Sequence, residues 1–121
     1  MGGVSGFLAV AGGAFAAHAL KERLSVEQLN WFEVGARYQM YHALALVLIG
    51  ALAGMGRGGR LLCVAGIAFV AGTVLFSGSL YALALTNVRA LGMVTPFGGV
   101  AFLVGWASVA LVGLRRPAQT P

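Results

Sequence analysis

Two histidines and an arginine stand where the chain is otherwise apolar: His18 in GAFAAHAL, and Arg37 and His42 in ARYQMYHALAL. Imidazoles in such surroundings can relay protons, ligate a haem iron axially or hydrogen-bond a ligand, and a guanidinium can hold an anion. Tyr38 precedes His42 by four residues, which puts both on one face of a helix. Thr73, Ser77 and Tyr81 repeat that spacing and make a second polar stripe. Thr95, Gly98, Gly99, Phe102 and Trp106 make a third, in which the glycines let a neighbour or a ligand approach closely.

Much other chemistry is excluded by residues that are missing. The chain has no aspartate, and its three glutamates, Glu22, Glu27 and Glu33, all fall between residues 21 and 37. Carboxylate relays and sodium sites within an apolar span are therefore ruled out. No Ser/His/Asp set, HExxH motif or paired carboxylate is present, so no catalytic residue is expected. Neither histidine belongs to a CxxCH or His-rich motif, and neither a metal site nor a cofactor is expected. The single cysteine, Cys63, has no partner for a disulfide and reads as a small packing residue. GRGGR at 56–60 lacks the GK[ST] ending of a phosphate loop.

The elements that must position these residues follow from composition. The chain is 60% hydrophobic and 9% charged, against roughly 45–50% and about 25% for soluble domains. No charged residue precedes Lys21, and none falls between Arg37 and Arg57, Arg60 and Arg89, or Arg89 and Arg115. Each gap can hold a helix crossing a hydrocarbon core, which takes roughly 20 residues. The prediction is an all-α integral membrane protein: one domain, 1–121, built as a four-transmembrane-helix up-down bundle with spans at about 2–20, 38–56, 61–86 and 94–114. The first span lacks the positive n-region of a signal peptide.

The segment KERLSVEQLNWFEVGAR is the one stretch that looks water-facing. Ser25 and Gln28 have capping-box spacing, so a helix starts near Val26, read as a short interfacial helix between spans one and two. Thr95–Pro96 reads as an N-cap followed by proline at the first helical position. The net charge of +5 comes from basic residues scattered at span ends, with no basic run, which excludes nucleic acid as a partner. The pairs Arg57/Arg60 and Arg115/Arg116 lie on one side of the four-span layout. They favour both termini cytoplasmic; the membrane expected is a bacterial inner membrane.

Up-down order gathers the polar residues at one membrane face. With ~1.5 Å of rise per residue, His18 lies ~4.5 Å inside Lys21 and His42 ~7.5 Å beyond Arg37. These depths predict that the two histidines meet in one polar layer, and that replacing either destabilises the bundle. Of 19 glycines, most lie within spans, where small residues let helices pack closely. Gly50/Gly54 form a GxxxG pair, and Ala9/Gly13 and Ala68/Gly72 form small-xxx-small pairs.

GAFAAHALKERL, VGARYQMYHALALVLIG, LFSGSLYALALTN and VTPFGGVAFLVGW, in that order over nearly the whole chain, resemble the YgdD/YwdK-like family of small integral membrane proteins. This family, domain of unknown function 423, has a mitochondrial transmembrane relative in animals. Its members usually carry GAFGAHAL, where this chain has Ala16. The resemblance implies four helices, no established activity, and family-pattern positions that add Gly78, Ser79 and Gly105 to those above. The candidate polar layer is then His18, Arg37, Tyr38, His42, Ser77, Ser79, Tyr81 and Thr95. The candidate packing glycines are Gly13, Gly50, Gly54, Gly72, Gly78, Gly98, Gly99 and Gly105. The expected function is that of a non-enzymatic accessory or structural subunit in the lipid bilayer, docking against other membrane subunits or itself. The alternatives are handling of a small molecule, a lipid or quinone, or an ion at a His18/His42 layer, and thirdly haem or metal carriage.

Overall fold

The computed structural model describes residues 1–115, so Arg116 of the topology argument lies outside the described residues. Four helices follow one another: α1 (Gly2–Leu20), α2 (Val26–Gly54), α3 (Gly59–Thr86) and α4 (Thr95–Leu114). A 3₁₀ turn, Arg89–Met93, leads into α4. Their backbones adjoin in chain order, α1 on α2, α2 on α3 and α3 on α4. Neighbours run antiparallel: Gly12 faces the Phe32 ring, while Gly2 lies against Ala43 and Val47.

Local chemistry sets the helix ends. The Ser25 side chain accepts the Gln28 backbone N–H at 3.1 Å and the Gln28 side chain accepts the Ser25 N–H at 3.0 Å, which completes the expected capping box and starts α2 at Val26. No proline follows until residue 96, and α2 runs unbroken for 29 residues. The separate interfacial helix is therefore corrected: residues 26–37 are the first turns of α2 itself. The GMGRGGR turn uses left-handed backbone at Gly56, Gly58 and Gly59; at Gly58, φ +86°, a side chain would also strike Leu62. Asn87, φ +55°, closes α3 by donating its N–H to the Leu83 carbonyl at 2.8 Å. Thr95 does not act as the expected N-cap, since the helix already includes it and its hydroxyl is bonded to Ser79.

Among the described residues, α1, α3 and α4 are long and apolar enough to cross a membrane. By the same measure α2 is not, because Arg37, Tyr38, Gln39, Tyr41 and His42 dilute its middle. Yet α2 is the helix that α1 and α3 both embrace. Its buried positions Phe32, Gly35, Gln39, His42, Ala45 and Ile49 recur every three or four residues and face the interior, with Ala36 and Ala43 beside them. Large apolar side chains such as Phe7, Phe97 and Leu103 point outward, each about 70% exposed, as a hydrocarbon solvent allows.

Both α1 and α3 contain a π-helical turn, at Ala16–Leu20 and Thr73–Ser77. Between α3 and α4 the fit is closest. Gly72 receives the Phe102 ring, Gly105 the Phe69 ring, and Gly98 lies directly on the Phe76 backbone. Phe69 and Phe102 then join Ala45, Ile49, Leu62 and Ala65 in the larger apolar cluster.

Candidate functional site

The interior polar groups lie on the inward face of α2 and on the helices packed around it. The His42 Nδ1–H donates to the Tyr38 carbonyl one turn back, 2.6 Å, and Nε2 accepts the Trp106 indole N–H at 3.1 Å. Both ring nitrogens are thus committed in a neutral imidazole with the proton on Nδ1. The ring stacks on Phe102 with centroids 3.5 Å apart and planes 3° from parallel. His42 is 3% exposed and has no free lone pair for a ligand.

The remaining bonds connect neighbouring helices. Tyr81 donates its hydroxyl to Gln39 Oε1 at 2.6 Å, and Gln39 Nε2 donates to the Ser5 carbonyl at 3.1 Å, which links α3, α2 and α1. Ser77 donates to the Gly35 carbonyl at 2.7 Å, again joining α3 to α2. Ser79 donates to the Phe76 carbonyl at 2.9 Å, which leaves the Thr95 hydroxyl to donate to Ser79 at 2.6 Å and join α4 to α3. At the charged end, Gln28 reaches the Ala84 carbonyl at 2.9 Å, and Arg89 lies 3.4 Å from Glu27 and over the Trp31 ring. Among the described residues, one buried side-chain polar atom lacks a partner, the Thr73 hydroxyl. It sits in the π turn of α3 beside a cavity of about 330 Å³ that Ser5 and Leu46 also line.

Two members of the expected layer are elsewhere. His18 is exposed on the last turn of α1. With Gly12 level with Phe32, His18 is six residues beyond that level and His42 ten residues short of it, a separation of roughly 20–25 Å along the axes. The two imidazoles cannot share an iron, a proton or a hydrogen bond. Arg37 points outward and pairs with Glu33 at 2.5 Å, one turn earlier on the same helix. Tyr38 occupies the edge, with its ring 4.7 Å from Phe76. Ser79 and Thr95 bond to each other, and Ser77 and Tyr81 reach α2 at Gly35 and Gln39, whereas His42 bonds separately to Trp106, eleven residues along α4 from Thr95.

Gln39 and Trp106 hold the layer and were not among its candidates. Gln39 was legible in principle, being four residues after Gly35 and three before His42 on the same helix face. Of the candidate packing glycines, Gly72, Gly98 and Gly105 are at close approaches and Gly99 is 4.0 Å from Phe76. Gly13, Gly50, Gly54 and Gly78 meet nothing within 4 Å and are corrected as intrachain contacts. For Gly50 and Gly54 the reason is helix phase, since Ala45 and Ile49 occupy the buried face of α2; Gly13 shares the face of Ala9 and Ala16 but borders an open groove. Gly2 and Gly35, which lie against Val47 and Tyr81, take the packing role instead.

Among the described residues no three His, Cys, Asp or Glu side chains gather as metal ligands. Apolar helices around a hydrogen-bonded polar layer, with greasy outer faces, define a small helical membrane protein. The comparisons carry the assignment further. Residues 12–99 match the family described as protein of unknown function DUF423, and the chain belongs to that family. It is 46% identical over 114 residues to the UPF0382 inner membrane protein YgdD of Escherichia coli, covering 93% of this chain and 85% of that one. It is 40% identical over 115 residues to the UPF0382 membrane protein YwdK of Bacillus subtilis, covering 95% and 94%. A UPF0382 membrane protein of Staphylococcus epidermidis is 43% identical over 115 residues, covering 95% and 93%. No solved structure matches the chain significantly.

Proposed function

We propose that the protein is a non-enzymatic accessory subunit of the bacterial inner membrane, crossing it four times in up-down order with both termini cytoplasmic. The observation that carries this reading is that His42, Ser77, Ser79, Tyr81 and Thr95 already have hydrogen-bond partners within the chain, the Thr73 hydroxyl being the one exception among buried side chains of the described residues. What remains unused is the outside, where Gly50 and Gly54 meet no neighbour among the described residues and could seat a helix of a larger assembly or a second copy. A fourth crossing is compatible with the polarity of α2, because Gln39 and His42 face the bundle rather than lipid.

The accessory role is tested by native electrophoresis of mild-detergent extracts, where the protein should migrate with a larger membrane assembly. A purified monomer that associates with nothing and carries solute into liposomes would overturn it. Handling of an apolar small molecule has one supporting observation, the unpartnered Thr73 hydroxyl beside its cavity. Orientation is tested with Cys63 replaced by serine and single cysteines placed at exposed Asn30 and Arg57. An impermeant thiol reagent added to intact cells should mark position 30 and leave 57 untouched; the reverse pattern would invert the topology.

A further inference from the structure

We propose that the groove between the C-terminal half of α1 and the first turns of α2 holds one anionic phospholipid, with its phosphate at Lys21 and an acyl chain along Gly13, Ala17 and Ala36.

The groove has a volume of about 360 Å³, within the range of small-ligand sites. Its walls are small or apolar: Gly13, Ala16 and Ala17 from α1, Leu29 and Ala36 from α2. A methyl group at Gly13 would meet nothing within 4 Å, so the space is open at that wall. Two charged residues mark the mouth, Lys21 and Glu33. Glu33 is already engaged by Arg37 at 2.5 Å. Among the described residues Lys21 is in no ion pair, so the groove presents one uncompensated cation at the end of an apolar slot.

That combination selects the occupant. An apolar helix would cover the walls and leave the ammonium unanswered, whereas a free phosphate would answer the ammonium and leave the walls bare. A phospholipid with a net negative head group does both, its phosphate meeting the ammonium and its acyl chain the apolar walls. Lys21 lies on the same face of α1 as Gly13 and Ala17, at four-residue intervals, so its charge and the slot are aligned. The inference goes beyond the accessory reading and uses only the membrane setting, so it stands or falls without a partner subunit.

The test is native mass spectrometry of the full chain in mild detergent, with phosphatidylglycerol or phosphatidylcholine of matched acyl chains added. A one-to-one phosphatidylglycerol adduct is expected in about fivefold preference over phosphatidylcholine, the value of one basic contact. Lys21→Gln should abolish the preference and leave weak binding of both lipids. Gly13→Leu, which fills the slot, should abolish the adduct; Ala17→Leu repeats the test should the first variant not fold. Added inorganic phosphate should leave the adduct intact. Equal retention of the two lipids by the wild type, an undiminished adduct in the filled variants, or full competition by inorganic phosphate would each overturn the proposal. So would a dimer in place of the lipid adduct, which would assign the groove to a second copy of the chain.

Discussion

The α3–α4 seam and the α1–α2 seam are both rich in small residues, yet they use them in opposite ways. In the first, Gly72, Gly98 and Gly105 take two aromatic rings and a length of backbone into the space a side chain would fill. In the second, contact is made at Gly2 and Ala9 near one end and at Ala16 and Leu20 near the other, while Gly13 borders an open groove. The difference shows that a glycine within a span does not by itself mark an interface. What marks one is a bulky partner at the matching height: Phe69 and Phe76 supply it for α4 and Phe102 for α3, and among the described residues nothing supplies it for Gly13, Gly50 or Gly54.

The sharpest way to break the comparison is to add one methyl group on each side of it. Gly98→Ala forces a carbon into the Phe76 backbone and is expected to destabilise the bundle by about 3 kcal/mol, at the upper end of overpacking effects. Gly50→Ala meets open space and is expected to leave stability unchanged or raise it by up to about 1 kcal/mol through helix propensity. Thermal unfolding in one detergent, read by circular dichroism, compares the two; effects of equal sign would erase the distinction.

The histidines give the next largest contrast. His42→Ala strands the Trp106 N–H and removes the ring stacked on Phe102, an expected loss of about 2 kcal/mol. His18→Ala, on an exposed turn and without a side-chain hydrogen bond among the described residues, should fall within about 0.5 kcal/mol of the parent. A comparable loss for both would restore the shared layer that the structure separates.

Smaller effects sharpen the account of the layer. Tyr81→Phe should cost about 1 kcal/mol by leaving Gln39 Oε1 without its donor. A double-mutant cycle with Gln39→Leu should return a coupling of at least 0.5 kcal/mol in size, as for residues in contact. Thr73→Val removes the one unpartnered buried hydroxyl at nearly constant volume and should be neutral or stabilising by up to about 1 kcal/mol. A clear destabilisation there would mean that the hydroxyl has a partner, bound in the adjacent cavity.

How far the sequence could be read depended on whether a feature is local. The capping box at Ser25 and the starts and stops of three apolar helices are set by residues within a turn or two of each other, and they stand as expected. The meeting of His18 with His42 required the relative height of two helices. Counting inward from charged residues supplied it wrongly, because Arg37 is not a boundary; it is paired to Glu33 on a helix that began eleven residues earlier. Height is fixed by which glycine lies under which ring, and that matching is a property of two surfaces rather than of either string of residues. The same holds for Trp106, whose place in a stripe was visible while its acceptor, 64 positions away, was not.

The π turn at Thr73–Ser77 gives α3 a joint in its middle. Such a turn holds one residue more than the α-helix would at the same place, and so resets the angular phase of everything after it by ~100°. Upstream of the joint α3 fits α4 through Phe69 and Gly72; downstream Ser77 and Tyr81 bond to α2 while Ser79 bonds to Thr95 of α4. The joint sets the phase in which the downstream hydroxyls meet these partners. Deleting a single residue from the joint should therefore act as a mistimed gear: the ring-on-glycine contacts would still mesh, while Tyr81 would swing away from Gln39.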